Sequence, residues 1–396
     1  MRKWRKDFLI LCIVQFVAAA GFTVAGPFVP LYIQDLGANG VRAAAAWAGI
    51  MGALSGITMA IASPIWGMVA DRYGRKLMVE RATVGAAVFQ SAMGLVTSVP
   101  QLVFLRTCQS IVSGVQAAVM ALAATIIPQG SMGVAMGALQ TATALGSTLG
   151  PFVGGWLAAG LGYRMTFFVT GAILLFAGLL AAFFVHEQFT PPPPSQERIK
   201  AMAGFRDVLR VPKMPSLLAT VTITRSAGAA MAIAIPLLLQ EMAGGSLEVS
   251  AQAGTVIGLT ALAMAAGALF WGRLGDRIGQ QQVLLLCLLL SVVSIVPQAL
   301  VVTPAQFAVG QMIFTFMLAG LMPSSTALIG IIGPSGRQGV VYGASGTALA
   351  LGNAIGPTLA AVLIGLWGIR AMFLGVGVVL FALFVVMRVQ LARNST

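Results

Sequence analysis

The sequence predicts an all-α membrane protein whose twelve transmembrane helices form two parallel six-helix halves. Three observations carry this. Of the 396 residues, 58% are hydrophobic and only 8% charged, against about 25% charged in a soluble domain. Apolar blocks of about 20 residues, enough to cross a hydrocarbon core of about 30 Å as a helix, recur along the whole length. The second half also matches the first at an offset of 205 or 206 residues, as an internal duplication does. A large soluble core is excluded, because so few polar residues could not cover its surface.

The blocks fall at about 8–34, 45–69, 78–99, 102–127, 133–159, 165–185, 215–240, 250–272, 283–300, 305–331, 340–365 and 371–387. The first follows a basic start, MRKWRK. It exceeds the apolar region of about 7–15 residues in a secretory leader, so it reads as a spanning helix. With the N-terminus in the cytoplasm, 18 of the 23 Lys and Arg residues lie inside; Arg42, Arg164 and Arg370 lie outside, and Arg106 and Arg225 within spans. This asymmetry predicts that both termini are cytoplasmic. It also assigns the net charge of +13 to anionic lipid rather than to nucleic acid.

Between the second and third blocks stands WGMVADRYGRK, Trp66 to Lys76, and between the eighth and ninth stands WGRLGDRIGQQ, Trp271 to Gln281. Gly74 suits a tight turn. Gly67 opens the motif, and Arg72, Arg75 and Lys76 sit at headgroup level. Asp71 is a lone acid among these cations. It either pairs with them or meets the positive N-terminal end of the eleventh span near Gly339, which would make a latch between the halves. A plain basic anchor is the alternative. The second copy keeps Asp276 and Arg277 but ends in Gln280 and Gln281, which predicts a weaker latch.

Arg106 lies in the fourth span beside Gln109. Gln15 lies in the first, Arg225 in the seventh and Gln311 in the tenth. A charge at such depth costs about 2.5–3.5 kcal/mol, so it marks a pathway or bonds to backbone carbonyls for packing. In the fifth span Gly146, Gly150 and Gly154 recur every four residues around Pro151. Gly352, Gly356 and Pro357 repeat the pattern in the eleventh. Such stripes give a smooth face for close helix approach, either as a sliding seam between halves or as ordinary packing.

The sixth block ends at the chain's single histidine, His186, read as a solvated boundary residue. Residues 186–214 form a linker stiffened by TPPPPS, followed by AMAGFRDVLRVPKM, which suits a short interfacial helix. The organisation is therefore 1–185, a cytoplasmic linker 186–214, and 215–396. PLYIQDLG at Pro30 recurs as PLLLQEMAG at Pro236, and YRMTF with Arg164 recurs as IRAMF with Arg370.

These motifs resemble the major facilitator superfamily over the whole chain. GMVADRYGRK looks like its signature between the second and third spans. LRTCQSIVSG looks like its fourth-span signature, with Arg106 in the arginine position. GSTLGPFVGG looks like the fifth-span signature of drug:H+ antiporters. The resemblance implies the twelve-span multidrug efflux branch in a bacterial inner membrane. It further implies alternating access, a cavity lined by the first, fourth, seventh and tenth spans, a small-molecule substrate, protons as the coupling ion and a monomer embedded in lipid. No cofactor and no metal is expected, since the three cysteines are isolated in apolar blocks.

In one respect the sequence departs from that branch: none of the ten acids is mid-membrane. Asp35 and Glu241 at the outer ends of the first and seventh spans, and Glu80 at the inner start of the third, are the coupling candidates. Two arginines without an embedded acid predict a cavity biased to neutral or anionic amphiphiles. An exporter of a defined metabolite, a sugar or a siderophore, is the rival within transport. A membrane receptor or scaffold is the rival outside it. The spans hold no Ser/His pair, paired carboxylate or metal cluster, which argues against an enzyme.

Overall fold

The computed structural model describes residues 3–127, 132–187, 208–243, 247–333 and 338–392. Among these the regular elements are all helices: α1 Lys3–Thr23, α2 Val29–Asp35, α3 Val41–Tyr73, α4 Arg75–Met93, α5 Val99–Val112, α6 Val115–Ile126, α7 Met132–Phe184, α8 Met214–Ala243, α9 Leu247–Ile278, α10 Gln280–Ile295, α11 Pro304–Leu318, α12 Leu321–Ile332, α13 Gln338–Trp367 and α14 Ile369–Ala392. A 3-10 turn, Val296–Ala299, follows α10, and each of the twelve predicted blocks is mostly helical. Nine described helices are long and apolar enough to cross a membrane. Of the interfacial helix expected after the linker, only residues 208–214 lie among the described residues.

The differences from the predicted blocks have local causes. The first block is broken after Thr23, where Pro27 lacks an N–H and disfavours a helical Gly26 before it. The chain turns there and restarts as α2. Phe28 and Tyr32 then enter an aromatic cluster with Tyr163 and Phe167, and the Tyr32 hydroxyl donates to Met93 O at 3.2 Å. The fourth block breaks into α5 and α6 at Gly114, which has φ 119°. The fifth and sixth blocks run together as α7 through a kink at Gly162.

The duplication extends to backbone geometry. Gly74 and Gly279 have φ of 99° and 97°, and Gly162 and Gly368 have 78° and 86°. These are conformations that only glycine adopts cheaply. The Trp66 indole donates to Ile111 O at 2.6 Å and the Trp271 indole to Phe316 O at 2.9 Å. Gln101 accepts from Thr97 N at the start of α5, and Gln306 from Val302 N at the start of α11. Both glutamines hold a helix start in the manner of a capping box, which explains why they recur.

The chain divides into two compact units, 1–193 with 245–258, and 194–244 with 259–396. In the first, α1 and α4 pack on α7 around a fully buried cluster that includes Leu11, Val14, Ala86, Val119 and Leu139. In the second, α13 packs on α8, and α10 packs on α14. Many large apolar side chains point outward, among them Phe183 at 73% and Leu300 at 79% exposed, as lipid contact requires.

Candidate functional site

The glycine stripe of α7 lies against α1. A Cβ on Gly146, Gly150 or Gly154 would strike the backbone of Phe16, Ala20 and Val24 respectively. The stripe of α13 lies against α8, Gly352 over Thr222 and Gly356 over Ser226. Both described contacts lie within a unit. Pro151 and Pro357 are buried beside them.

Each stripe carries a side-chain cross-link at the same sequence separation, and the α8–α13 stripe adds bonds from Thr222 to Ala348 O at 3.1 Å and from Ser226 to Gly352 O at 3.2 Å. Gln15 of α1 donates to Thr143 of α7 at 2.8 Å, 128 residues away. Arg225 Nε of α8 donates to Asn353 Oδ1 of α13 at 2.7 Å, also 128 residues away. The second pair sits one helical turn further along its helices than the first. Gln116 of α6 reaches Gln140 at 3.4 Å, one turn from Thr143 on the same face of α7. Gln15 is buried, and its Oε1 has no partner among the described residues.

Arg106 is half-buried on α5, and its NH1 donates to Gln109 Oε1 at 2.7 Å. The Gln109 amide in turn donates to Gln90 Oε1 at 2.8 Å and to Ala86 O at 3.1 Å on α4. The guanidinium is thus held by a chain of neutral amides. Neither Arg106 nor Arg225 pairs with a carboxylate among the described residues. Gln311, the repeat mate of Arg106, is buried with an unpartnered Oε1.

Sequence reasoning missed Gln90, Thr143 and Asn353. Asn353 did carry a signal, being the one asparagine inside a predicted block. Gln90 is likewise a lone amide in an apolar span. Their partners lie in other helices, so only packing reveals them.

The first knot binds its own unit. Arg75 NH1 donates to Ala121 O at 3.2 Å and Lys76 Nζ to Ala182 O at 2.7 Å. The Glu187 carboxylate, just past α7, accepts from the backbone N–H of Arg75 and of Lys76. An anion at these N–H groups satisfies donors that a helix start leaves open. Arg72 lies over the Tyr73 ring at 5.4 Å. Gly67 and Asp71 belong to α3, but the side chain of Asp71 and the segment before Gly339 lie outside the described residues. In the second copy Gln280 folds onto Asp276 at 3.2 Å and Arg277 is exposed. Where Arg75 reaches Ala121, the second copy leaves a cavity of about 510 Å³ lined by Asp276, Gln280, Gln281, Ala327, Leu328 and Ile331.

The acids expected to couple protons sit at helix ends. Glu241 pairs with Arg370 at 3.7 Å, both partly exposed, and Glu80 with Lys76 at 3.6 Å. Asp35 is exposed at the end of α2. His186, expected to be solvated, is 64% exposed and also lies 3.6 Å from the buried Asp7. Among the described residues no group of His, Cys, Asp or Glu could hold a metal.

Two units that repeat the same turn, tryptophan anchor and glycine-packed helix pair, each with a guanidinium held by a neutral amide, define a duplicated multi-pass membrane transporter. The chain belongs to the Major Facilitator Superfamily, whose family model matches residues 11–251 and again 227–395. It is 32% identical over 383 residues to a multidrug resistance protein, MdtG, of Salmonella dublin, covering 96% of this chain and 94% of that one. It is 33% identical to MdtG of Citrobacter koseri, covering 96% and 93%. Among solved structures, a bacterial homologue of the human lysosomal transporter Spinster, in an inward-facing unoccupied conformation, superposes with a TM-score of 0.77 at 17% identity, covering 99% and 96%. The nucleoside transporter NupG superposes with a TM-score of 0.75 at 13% identity, covering 97% and 99%.

Proposed function

We propose that this protein is a proton-coupled efflux transporter for neutral or anionic amphiphilic small molecules. In this reading it works by alternating access as a monomer in a bacterial inner membrane, with both termini cytoplasmic. Drug efflux is the reading that accords with the multidrug resistance for which the MdtG relatives are named. The observation that carries the substrate bias is Arg106, a half-buried cation whose guanidinium is bonded, among the described residues, to the neutral Gln109. Two unit charges 6 Å apart interact by about 3 kcal/mol at an effective dielectric of 20. A guanidinium with no carboxylate beside it therefore attracts an anion and repels a cation by amounts that decide selectivity. Arg225, held by neutral Asn353, adds the same sign. Phe16, Phe22, Phe314 and Phe316 could supply apolar contact.

The gating role falls to the knot of Gly67, Asp71, Arg72, Gly74, Arg75 and Lys76 and to Asp276 and Arg277. The anchor half of that role is supported by the bonds of Arg75 and Lys76 within their own unit. Drug susceptibility in a pump-deficient bacterium, with vesicle uptake of an anionic amphiphile and of ethidium side by side, tests the reading. Preferential transport of the anion supports it. Equal transport of ethidium, unchanged by substitution of either arginine, sinks the substrate bias, and uphill efflux that survives a protonophore sinks proton coupling.

A further inference from the structure

The buried cores of the two units differ in chemistry at matching positions. In the first unit Ile10, Val14, Ala18, Ala86, Ala118, Val119 and Leu139 all belong to, or pack against, one apolar cluster. Their mates at the offset of 205 or 206 are Ser216, Thr220, Thr224, Ser291, Ser324, Ser325 and Ser345. Every one of the seven is a hydroxyl residue, and every one is buried. The register rests on contacts as well as sequence: Gly150 meets Ala20 O and Gly356 meets Ser226 O, both pairs displaced by 206.

Hydroxyls in apolar helices usually bond back to the carbonyl one turn earlier. Thr83, Thr107, Ser110, Thr143, Thr166 and Thr170 do so here. Thr224, Ser291, Ser324 and Ser325 do not. Their oxygens are buried without a hydrogen-bond partner among the described residues, as is Gln311 Oε1. Buried polar groups are costly unless something bonds them. A site with several such groups in one packed region suits ordered water, which typically makes about three hydrogen bonds there. Thr224, Ser291, Gln311 and the two serines come from α8, α10, α11 and α12; α12 packs on both α8 and α10, and α11 packs on the same two helices. On α8, Ser216, Thr220 and Thr224 follow at successive turns and form one stripe.

We infer that the second unit contains a buried hydrated seam, lined by Thr224, Ser291, Ser324 and Ser325, which carries protons in place of a mid-membrane carboxylate. This rests on the proton coupling proposed above. A hydroxyl accepts one hydrogen bond while donating another. A proton can therefore arrive at one oxygen of the hydrated chain as another leaves the next, with no change in the net protonation of any side chain. No acid is needed inside the span.

The first unit supplies the test variant. Thr224→Ala, Ser291→Ala, Ser324→Ala and Ser325→Val together install its residues at the matching positions. Cys287 is the reporter: it is fully buried and its Sγ lies against Gly320 at the start of α12, with Ser291 one turn from Cys287 on α10 and Ser324 one turn from Gly320 on α12. Hydroxyl-radical labelling of the intact transporter should modify Cys287 in the wild type and lose that modification in the fourfold variant. In proteoliposomes the variant should still bind substrate, while substrate-driven proton movement, followed with an internal pH dye, is lost. An unlabelled Cys287 in the wild type, or labelling unchanged in the variant, overturns the hydrated seam. Proton movement retained by the variant overturns the route alone. Substrate transport by the wild type without proton movement sinks the coupling itself, and the route with it. If the fourfold variant does not fold, Ser324→Ala and Ser324→Thr decide: the alanine should lower proton movement and the threonine keep it, and equal rates for both overturn the route.

Discussion

Glu187 stands at the far end of α7, yet it holds the start of α4: its carboxylate accepts from the Lys76 backbone N–H at 2.8 Å, 111 residues earlier in the sequence. The bond to Arg75 N–H is 3.0 Å. Replacing Glu187 by Ala leaves both donors open. Loss of such a cap typically costs about 1 kcal/mol, and the thermal midpoint of the detergent-purified protein should fall by about 2–4 °C. An unchanged midpoint would mean that water replaces the carboxylate without cost.

Asp71→Asn should impair transport while leaving the protein in the membrane. Arg75 and Lys76 hold the turn through bonds that do not involve Asp71, so the anchor should survive the substitution. Initial rates in reconstituted vesicles decide the matter. A wild-type rate would leave the knot as an anchor only.

Arg106→Ala should reduce efflux at least about tenfold, since the attraction of about 3 kcal/mol it offers an anion exceeds the 1.4 kcal/mol of a tenfold change. Arg106→Gln, the residue that the other half carries at Gln311, should instead shift preference from anions toward cations. Accumulation assays at equal expression read both effects. Unchanged accumulation in both variants would return Arg106 to a packing role.

Glu241→Gln should change stability by less than about 0.5 kcal/mol, because its pair with Arg370 is partly exposed and solvent-screened. Proton-driven transport should persist in the triple variant Asp35→Asn, Glu80→Gln, Glu241→Gln. Loss of coupling in that variant, with substrate binding retained, would restore these acids as carriers.

Gly154→Ala should destabilise the first unit by about 1–3 kcal/mol. A Cβ there meets the Val24 backbone, which cannot rotate away as a side chain could. Gly160→Ala is the control, since nothing lies within 4 Å of a Cβ at that position. Equal thermal midpoints for the two variants would show that α1 and α7 can separate at no cost.

The sequence by itself determined the class, the duplication and the turns. Block length against bilayer thickness is a local property, and so is a glycine such as Gly74 that alone tolerates its φ of 99°. The 205–206 register could be counted before any coordinate was known. Which partner each polar group takes was decided by tertiary structure. Gln15 and Thr143, Arg225 and Asn353, and Glu187 and Lys76 are each more than a hundred residues apart. Their meeting depends on how each helix is rotated about its axis. A helix that is apolar on all sides carries no moment to fix that rotation from sequence. It was set instead by close packing at Gly146, Gly150 and Gly154, where the backbones of α1 and α7 meet. In the second unit, where Gly352 and Gly356 meet the backbone of α8, packing turned seven hydroxyls inward at positions where the first unit has hydrocarbon.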